Sequence, residues 1–493
     1  MAILEENIKD ILTLENYTGE WRDSRGDHKD VINPATNKVI AKVPYSTKDE
    51  VNEAIKTAQG VYPEWRETPP MIRVRCLFRL KELLEENFEE LSIIQTMEHG
   101  KTIDESRGET RRGIENVEVA TGITSLMMGH NLEDVSGGID VFNIRQSLGV
   151  FACIAPYNFP FMVPLWFAPY AAATGNCIIV KPSPRAPISQ AKIAELVDEA
   201  GFPPGVWNVL HGDKDVADEL MEHPDIKGVC FVGSTPVAKS LYEKAGKTGK
   251  RIIAQGGAKN FVVIMPDADL SKTIPALMTS FYGNAGQRCL AAANAVVLGD
   301  DAFYKRFTSL FKEAASKIRV GNGLDESIQM GPLQTEKSKL NVLQFIESGV
   351  KEGAKLILDG RDLKIEGGHP ENCFLNPTIF EDVTLKMKIA KEEIFGPVAC
   401  IMRGSDLDEA IEMIHSNPYG NSAAIFTSSG KAAREFRYKV NCGNIGINVG
   451  IPAPVALFAF GGMKDSFFGV LHAQGQDVIR FFTENKQVIE RWL

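Results

Sequence analysis

Short apolar runs alternate with amphipathic segments along the chain from about residue 147 onward. The apolar runs, rich in Val and Ile, predict buried strands at residues 148–154, 177–180, 206–210, 228–232 and 252–254. The spacing of apolar positions predicts helices between them, at residues 188–200 and 237–245. Buried strands that alternate with helices are typical of βαβ units, so the sequence predicts an α/β fold with a parallel sheet.

A second region with the same alternation begins near residues 261–265 and continues to about residue 440. Gly- and Asp-rich breaks separate its elements, as at residues 321–325. Two further strand-like segments, residues 135–146 and 487–492, flank the two α/β regions without belonging clearly to either. The pattern therefore indicates two α/β domains and a small β extension.

Composition narrows the class of protein. The chain has 493 residues, 44% hydrophobic and 24% charged, which is typical of a soluble globular protein with two or three domains. No uninterrupted apolar run reaches about 18 residues, so we expect no transmembrane helix. A net charge of −10 disfavours a nucleic-acid partner. Residues 1–10 carry acids where a targeting peptide would carry basic residues, so a cytoplasmic location is expected.

The cysteines point to one candidate nucleophile. All eight are dispersed, with neither a CxxC pair nor a Cys/His cluster at metal-ligand spacing, which argues against a disulfide framework and a metal site. Cys289 alone follows a Gly-rich break and a cation, in Gly-Asn-Ala-Gly-Gln-Arg-Cys at residues 283–289. Arg288 favours the thiolate, the nucleophilic form of cysteine. From this segment alone, an inert core cysteine is the open alternative.

A glycine-bearing turn is the candidate phosphate site. Gly233, Ser234 and Thr235 lie between a predicted strand and a predicted helix, where free backbone N–H groups bind a pyrophosphate. The turn lacks the common GxGxxG pattern, and a plain strand–helix connection is the alternative.

Five short motifs accompany these two segments. They are Ala155-Pro-Tyr-Asn-Phe-Pro160, Ile178-Ile-Val-Lys-Pro-Ser-Pro184, Phe231-Val-Gly-Ser-Thr235, Gln255-Gly-Gly-Ala-Lys-Asn260 and Glu392-Glu-Ile-Phe-Gly-Pro397. Together, and in this order, they closely resemble the aldehyde dehydrogenase superfamily, over nearly the whole chain from about residue 20. The segments at residues 111–120, 125–129, 286–289 and 461–469 look like its CoA-acylating methylmalonate-semialdehyde (malonate-semialdehyde) dehydrogenase branch.

The resemblance implies a domain plan. Residues 1–134 and 147–255 are expected to form a Rossmann-type dinucleotide-binding domain and residues 256–445 an α/β catalytic domain. Residues 135–146 and 446–493 are expected to form a β extension that pairs across subunits, giving a dimer or tetramer.

The resemblance also assigns catalytic and cofactor residues. Cys289 is the nucleophile, and Asn158, with the Cys289 backbone N–H, stabilises the oxyanion. The NAD or NADP site is expected to contain Pro156, Tyr157, Lys181, Ser183, Gly233, Ser234, Glu393 and Phe395. Lys181 and Glu393 are expected on the two riboses and Ser234 at the pyrophosphate. Apart from the resemblance, Asn158 suits a turn, Lys181 and Glu393 suit a solvated surface, and Phe395 suits a core.

Two positions depart from the common family pattern. Gln255 stands where hydrolytic members carry the glutamate that activates water, and glutamine cannot accept a proton in that role. Its presence favours transfer of the thioester to CoA, although another base could replace the glutamate. Pro184 stands where many NAD-using members carry a glutamate against a 2'-phosphate. With Arg185 following it, NADP use is physically permissible, while the branch generally uses NAD.

Two arginines are candidates for substrate binding. Arg288 precedes the nucleophile, and Arg112 lies in a marker segment of the branch. Two guanidinium groups near a thiol bind a carboxylate bidentately. The alternative is that each pairs with a neighbouring acid, such as Glu115 for Arg112 at helical spacing.

The sequence therefore predicts an enzyme that oxidises a carboxylated semialdehyde, such as malonate or methylmalonate semialdehyde, with NAD(P) and passes a cysteine thioester to CoA. Loss of carbon dioxide from the product is implied by the resemblance only. The alternatives are a hydrolytic dehydrogenase of succinate semialdehyde or another aldehyde, and a non-catalytic protein that retains the fold.

Overall fold

The computed structural model describes residues 11–492. Residues 1–10, on which the prediction of no targeting peptide rests, lie outside the described residues.

The first sheet is built around five parallel strands. In spatial order its strands are β22 (Phe467–Gly469), β12 (Arg251–Gln255), β11 (Ile226–Val232), β8 (Val150–Ile154), β9 (Cys177–Lys181), β10 (Trp207–Val209), β2 (Asn16–Tyr17) and β3 (Trp21–Arg22). Strands β12 to β10 of this order pair in parallel, and β22, β2 and β3 are antiparallel additions at the edges. Helices cover both faces of such a sheet, which is why β8 and β9 are buried at every residue.

The order of these strands creates a crevice. The chain runs from β8 outward through β9 to β10, then returns to the other side of β8 to form β11 and β12. Ligands of open α/β sheets bind at such a reversal, beyond the carboxyl ends of the strands. The residues that follow β8 and β11 therefore lie where a dinucleotide is expected.

The second sheet has seven strands. In spatial order they are β15 (Lys355–Leu358), β16 (Thr378–Glu381), β17 (Val398–Gly404), β14 (Ala292–Leu298), β13 (Asn260–Ile264), β19 (Ser422–Phe426) and β20 (Asn444–Ile447). All neighbours pair in parallel except β15 with β16. The loops that enter β13, β14 and β17 meet at one edge, because these strands are parallel neighbours. Cys289 lies in the loop before β14 and Glu393 in the loop before β17.

Three smaller sheets complete the strands. They are β1 (Leu12–Thr13) with β5 (Lys38–Pro44) and β4 (His28–Asn33), then β18 (Tyr419–Gly420) with β21 (Met463–Lys464), and finally β23 (Thr483–Arg491) with β7 (Ile139–Ser147) and β6 (Asn131–Ser136).

Helices pack on the sheets and enclose two main apolar cores, one around each large sheet. The α-helices are Lys48–Glu67, Pro70–Glu86, Phe88–His99, Ile103–Thr121, Ile123–Leu126, Met162–Leu165, Ala168–Ala173, Ile188–Glu199, Lys214–Glu222, Thr235–Thr248, Leu270–Tyr282, Asp301–Ser316, Glu336–Lys351, Lys388–Lys391, Leu407–Ser416, Gly430–Lys439 and Gly475–Phe482; Gly283–Gly286 and Glu371–Cys373 are 3-10 helices. Within residues 11–492, no helix is both long and apolar enough to cross a bilayer.

The predicted α/β architecture is confirmed. The strands expected at residues 148–154, 177–180 and 228–232 are β8, β9 and β11, and the helix expected at 188–200 is Ile188–Glu199. The flanking segments form the sheet of β6, β7 and β23, and residues 446–493 also add β22 to the first sheet. The domain boundaries and the pairing of these segments across subunits stay predictions.

Candidate active site

Cys289, the predicted nucleophile, lies at the end of a strained loop. Helix Leu270–Tyr282 ends at Gly283, and the next residues, Asn284 and Ala285, have φ of 56° and 51°, in the left-handed region. Gly286 continues this turn with φ 72°, and a Cβ there would lie 2.2 Å from the carbonyl oxygen of Gly396. A glycine is thus required for the nucleophile loop to approach the loop that enters β17.

Two asparagine side chains hydrogen-bond to the backbone carbonyl of Cys289. The carbonyl oxygen of Cys289 accepts hydrogen bonds from Nδ2 of Asn260 at 2.8 Å and from Nδ2 of Asn421 at 2.7 Å. Asn260 also donates to the carbonyl of Ala291 at 2.8 Å. These bonds fix the backbone at Cys289 while its side chain stays partly exposed.

Arg288 acts on the thiol in the predicted direction, lowering the pKa of Cys289, but its effect is outweighed. Burial, and then the negative charge of Glu393, raise the pKa of Cys289 to about 12. The backbone N–H groups of Cys289 and Leu290, and the Arg288 guanidinium, act in the opposite direction and are outweighed. The protonated thiol is therefore the dominant form at neutral pH.

Asn158 joins the nucleophile loop to the crevice of the first sheet. It follows β8, is 6% exposed, and donates from Nδ2 to the carbonyl oxygen of Gln287 at 2.9 Å. One N–H of the amide group is used in this bond, and the second has no acceptor within residues 11–492. The amide is thus oriented toward the loop that carries Cys289, as an oxyanion donor has to be.

A cavity of about 370 Å³ opens beside Cys289 and brings both predicted arginines to it. Its apolar wall includes Phe159, Met162, Trp166, Leu290 and Phe460, and its charged wall includes Arg112 and Arg288. The site therefore combines a thiol, a largely apolar chamber and two guanidinium groups.

Each arginine also has an acidic neighbour. Arg112 donates to Glu115 at 3.0 Å, with 41% and 32% of the two side chains exposed. Arg288 donates from Nη2 to Glu105 at 2.9 Å, and both side chains are 15% exposed. Each arginine thus pairs with an acidic side chain, as the alternative held, and also lines the cavity. The buried Nε of Arg288 has no partner among the described residues, so this donor is left for a ligand.

The glycine-bearing turn lies at the crevice. Ser234 is the exposed N-cap of helix Thr235–Thr248, and its side chain does not cap the helix. The first N–H groups of a helix have no partner within it, so this end is open to an anion. The residues present therefore fit the pyrophosphate of a dinucleotide.

The two predicted ribose-binding residues come from different sheets. Lys181 ends β9, and its buried ammonium donates to the carbonyls of Pro182 at 2.8 Å and Gly212 at 2.7 Å. Burial lowers the pKa of Lys181 to about 8. Glu393 accepts from the N–H of Ala258 at 2.9 Å, and burial raises the pKa of its carboxyl to about 7. Both side chains rest on backbone groups here, and their contacts with a ribose stay predictions.

The rings of Tyr157 and Phe395 pack against each other. Phe395 has a φ of 55°, which is strained for a bulky residue, and its ring lies 6.2 Å from the ring of Tyr157, edge to face. The Arg185 guanidinium lies 5.4 Å from the same tyrosine ring and is exposed. Ser183 accepts at its Oγ from the N–H of Arg185 at 3.3 Å, and the cofactor roles of Ser183 and Pro156 stay predictions.

Gln255 is buried at the end of β12 and turns away from solvent. Its Nε2 donates to the carbonyl oxygen of Phe460 at 3.2 Å. The side chain at this position therefore donates a hydrogen bond, whereas a carboxylate at the same position could not.

The sequence analysis missed three polar residues that hold the site together. Glu105 accepts from the N–H of Asn284 at 2.6 Å as well as from Arg288, and so anchors the nucleophile loop. Lys101 and Glu109 form a buried ion pair beneath the Asn158 loop. The one local signal was the capping box of Thr102 and Glu105, which marks a helix start and not a site.

A thiol nucleophile, an amide donor and a dinucleotide-type crevice together define a cysteine-dependent dehydrogenase. The chain belongs to the aldehyde dehydrogenase family, whose model matches residues 21–488.

Individual relatives are similar over nearly the full length. A malonate-semialdehyde dehydrogenase of Bacillus mycoides is 45% identical over 98% of this chain and 100% of its own. A methylmalonate-semialdehyde dehydrogenase of Oceanimonas doudoroffii has a crystal structure with a TM-score of 0.96 and 41% identity, over 98% of this chain and 99% of its own. A Sinorhizobium meliloti protein described as a methylmalonate-semialdehyde dehydrogenase, crystallised with NAD, gives a TM-score of 0.96 and 40% identity, over 98% of this chain and 99% of its own.

Proposed function

We propose that this enzyme oxidises malonate or methylmalonate semialdehyde with NAD(P) and transfers the resulting acyl group from Cys289 to CoA. One observation carries the substrate class: the Cys289 thiol, Arg288 and Arg112 line the same cavity. A small aldehyde with a terminal carboxylate matches a chamber that has a nucleophile and two guanidinium groups. The relatives named above support the choice of semialdehyde.

The protein groups have distinct tasks in the reaction. The Cys289 thiol loses its proton to solvent and the resulting thiolate attacks the aldehyde carbon, so that the electron pair of the C=O π bond moves to the oxygen as negative charge. The free N–H of Asn158 is positioned to stabilise that oxygen. When NAD(P) is bound, it supplies the acceptor for the hydride. Collapse of the adduct leaves a thioester on Cys289.

The same cavity then has to release the acyl group. The side chain of Gln255 donates to Phe460 and has no basic group with which to activate water. A thiolate of CoA needs no such base, because it is already nucleophilic. This contrast supports CoA as the acyl acceptor and disfavours the hydrolytic alternative.

The cofactor proposal includes both NAD and NADP. Gly233 and Ser234 would hold the pyrophosphate at the open helix end, with Lys181 and Glu393 toward the riboses. Pro184 presents no carboxylate against a 2'-phosphate, and Arg185 is exposed beside it. We also propose a cytoplasmic homo-oligomer, a dimer or tetramer, in which the sheet of β6, β7 and β23 pairs across subunits.

A substrate panel tests the proposal. Purified enzyme is assayed with malonate semialdehyde, methylmalonate semialdehyde, succinate semialdehyde and propanal, each with NAD or NADP and CoA, and the acyl products are identified by mass spectrometry. We expect malonate and methylmalonate semialdehyde to give the highest kcat/KM and an acyl-CoA product. A preference for propanal would refute the role of the arginines, and free acid as the main product would refute transfer to CoA.

A further inference from the structure

Helix Ile103–Thr121 presents a row of charged residues to the active-site cavity. Glu105, Glu109 and Arg112 are spaced by four and three residues, so they share one face of the helix, and all three line the cavity. Glu105 anchors the nucleophile loop, as described above. Glu109 faces the other half of the catalytic pair, the Asn158 loop.

Glu109 is buried and its contacts are with that loop. Its Oε1 accepts from the backbone N–H groups of Phe161 and Met162, both at 3.0 Å, and its Oε2 accepts from Nζ of Lys101. The side chain is 0% exposed. The carboxylate thus caps the start of the short helix Met162–Leu165, which directly follows the Asn158 loop.

Lys101 holds the same loop at its other end. Its ammonium donates to the carbonyl oxygen of Asn158 at 2.6 Å and lies 4.5 Å from the ring of Phe159. With the bond to Glu109, two of the three N–H donors of the ammonium are in hydrogen bonds, and the charge also faces an aromatic ring. Lys101 and Glu109 therefore grip residues 158–162 at both ends, although neither contacts Cys289.

We propose that Glu109 and Lys101 are positioning residues that hold the Asn158 amide at the oxyanion of the Cys289 adduct. This inference rests on the proposed function, in which Asn158 is the oxyanion donor. A misplacement of about 1 Å is enough to cost on the order of a hundredfold in rate, so a buried pair that fixes this loop has a direct catalytic consequence.

Two reactions of the same thiol separate positioning from general structural damage. Iodoacetamide alkylates the Cys289 thiolate by forming an S–C bond and releasing iodide, and no oxyanion forms. p-Nitrophenyl acetate acylates it through a tetrahedral oxyanion, forming an S–C bond and releasing p-nitrophenolate. Neither reaction needs an aldehyde, NAD(P) or CoA. Alkylation is followed on the Cys289 peptide by mass spectrometry, and acylation as the p-nitrophenolate burst missing in Cys289→Ala.

We expect Glu109→Gln to lower the acylation rate by about tenfold or more and to leave alkylation within about threefold of the native rate. Asn158→Ala is expected to show the same pattern. Glu118→Gln is the matched control, because Glu118 is an exposed carboxylate on the same helix that pairs only with surface Lys81. We expect it to change neither rate.

Removing one partner of a buried ion pair can prevent folding, so a second variant accompanies the first. Lys101→Met combined with Glu109→Gln leaves no unpaired charge, and it is expected to fold and still show selective loss of acylation. Equal loss of both reactions in the double variant, or normal acylation in either variant, would overturn the inference. If the native enzyme oxidised no semialdehyde but Glu109→Gln selectively lost acylation, the proposed function alone would fail.

Discussion

The two sides of the active site are built differently. On the nucleophile side, left-handed residues, a glycine under the Gly396 carbonyl and two asparagine amides fix the backbone at Cys289. On the crevice side, Ser234 is exposed and the start of its helix is uncapped by a side chain. Groups that react must be held in place beforehand, whereas groups that bind an exchangeable ligand must stay open. The contrast indicates that covalent chemistry and cofactor binding can be disrupted separately.

Removing the Cys289 thiol should abolish aldehyde oxidation and leave cofactor binding intact. We expect Cys289→Ala to lower aldehyde oxidation by at least about a thousandfold, because the covalent step is lost, with NAD(P) affinity unchanged. Steady-state kinetics and cofactor titration measure the two effects. Cys76→Ala, at the other partly exposed cysteine, is the control and should retain activity. Activity of Cys289→Ala within a few-fold of native would remove the covalent mechanism.

Asn158 lies where the two sides meet, so its loss tests how far they are independent. Asn158→Ala is expected to lower kcat by about a hundredfold or more, the usual effect of losing one oxyanion donor. The KM for NAD(P) should change little, since the amide contacts Gln287 of the nucleophile loop. A normal kcat would return Asn158 to the role of a turn residue.

The two arginines of the active-site cavity differ in exposure, so their replacement should have effects of different size. Arg288→Leu should raise the KM for malonate semialdehyde by roughly ten- to a hundredfold, because its guanidinium is mostly buried and a charge-assisted bond is strong there. Arg112→Leu should have a smaller effect, because solvent screens its more exposed guanidinium.

Propanal as substrate separates carboxylate binding from other roles of the arginines. Its KM should change little in both variants, since it has no carboxylate. Arg107→Leu, a surface arginine of the same helix, is the matched control. Equal effects on both substrates would show that the arginines support the loop and do not select the substrate.

Glu393 links the two sides electrostatically, and the effect of neutralising it should be the smallest. Its charge contributes to the raised pKa of Cys289, so Glu393→Gln should lower that pKa. Below the thiol pKa the thiolate fraction grows tenfold for each unit by which the pKa falls, so iodoacetamide alkylation at pH 8 should be faster, by about a few-fold. Glu392→Gln, at the exposed neighbour, should have no effect. Slower alkylation in Glu393→Gln would contradict the assigned cause.

Sequence patterns predicted the strands of this molecule better than the pKa of its Cys289 thiol. Strands β8, β9 and β11 were predictable because each contains a local apolar run, buried throughout in β8 and β9 and over residues 228–231 in β11. Cys289, Arg112 and Arg288 line one cavity, while their roles stay predictions. The net rise of the thiol pKa was not predicted, because only the adjacent Arg288, which lowers it, is visible locally, whereas burial and Glu393, distant in sequence, raise it.

The contacts of Lys101 and Glu109 with the Asn158 loop also could not be predicted, because they join residues far apart in sequence. Lys101 and Asn158 meet only when the loop between helices Phe88–His99 and Ile103–Thr121 packs against the segment that follows β8. Helix Ile103–Thr121 is largely polar, and its polar face would be assigned to solvent by periodicity alone. Contacts between residues far apart in sequence, and the burial they create, thus decide the parts of the site that a linear pattern does not contain.

The fate of the Cys289 thioester tests the account most directly. Native enzyme is mixed with malonate semialdehyde and excess cofactor, without CoA, and NAD(P)H is followed by stopped-flow absorbance. We expect a burst of about one equivalent per active site and then a slow phase, because Gln255 provides no base for water. Addition of CoA should accelerate the slow phase and yield acyl-CoA. Fast turnover without CoA, with free acid as the product, would contradict the account.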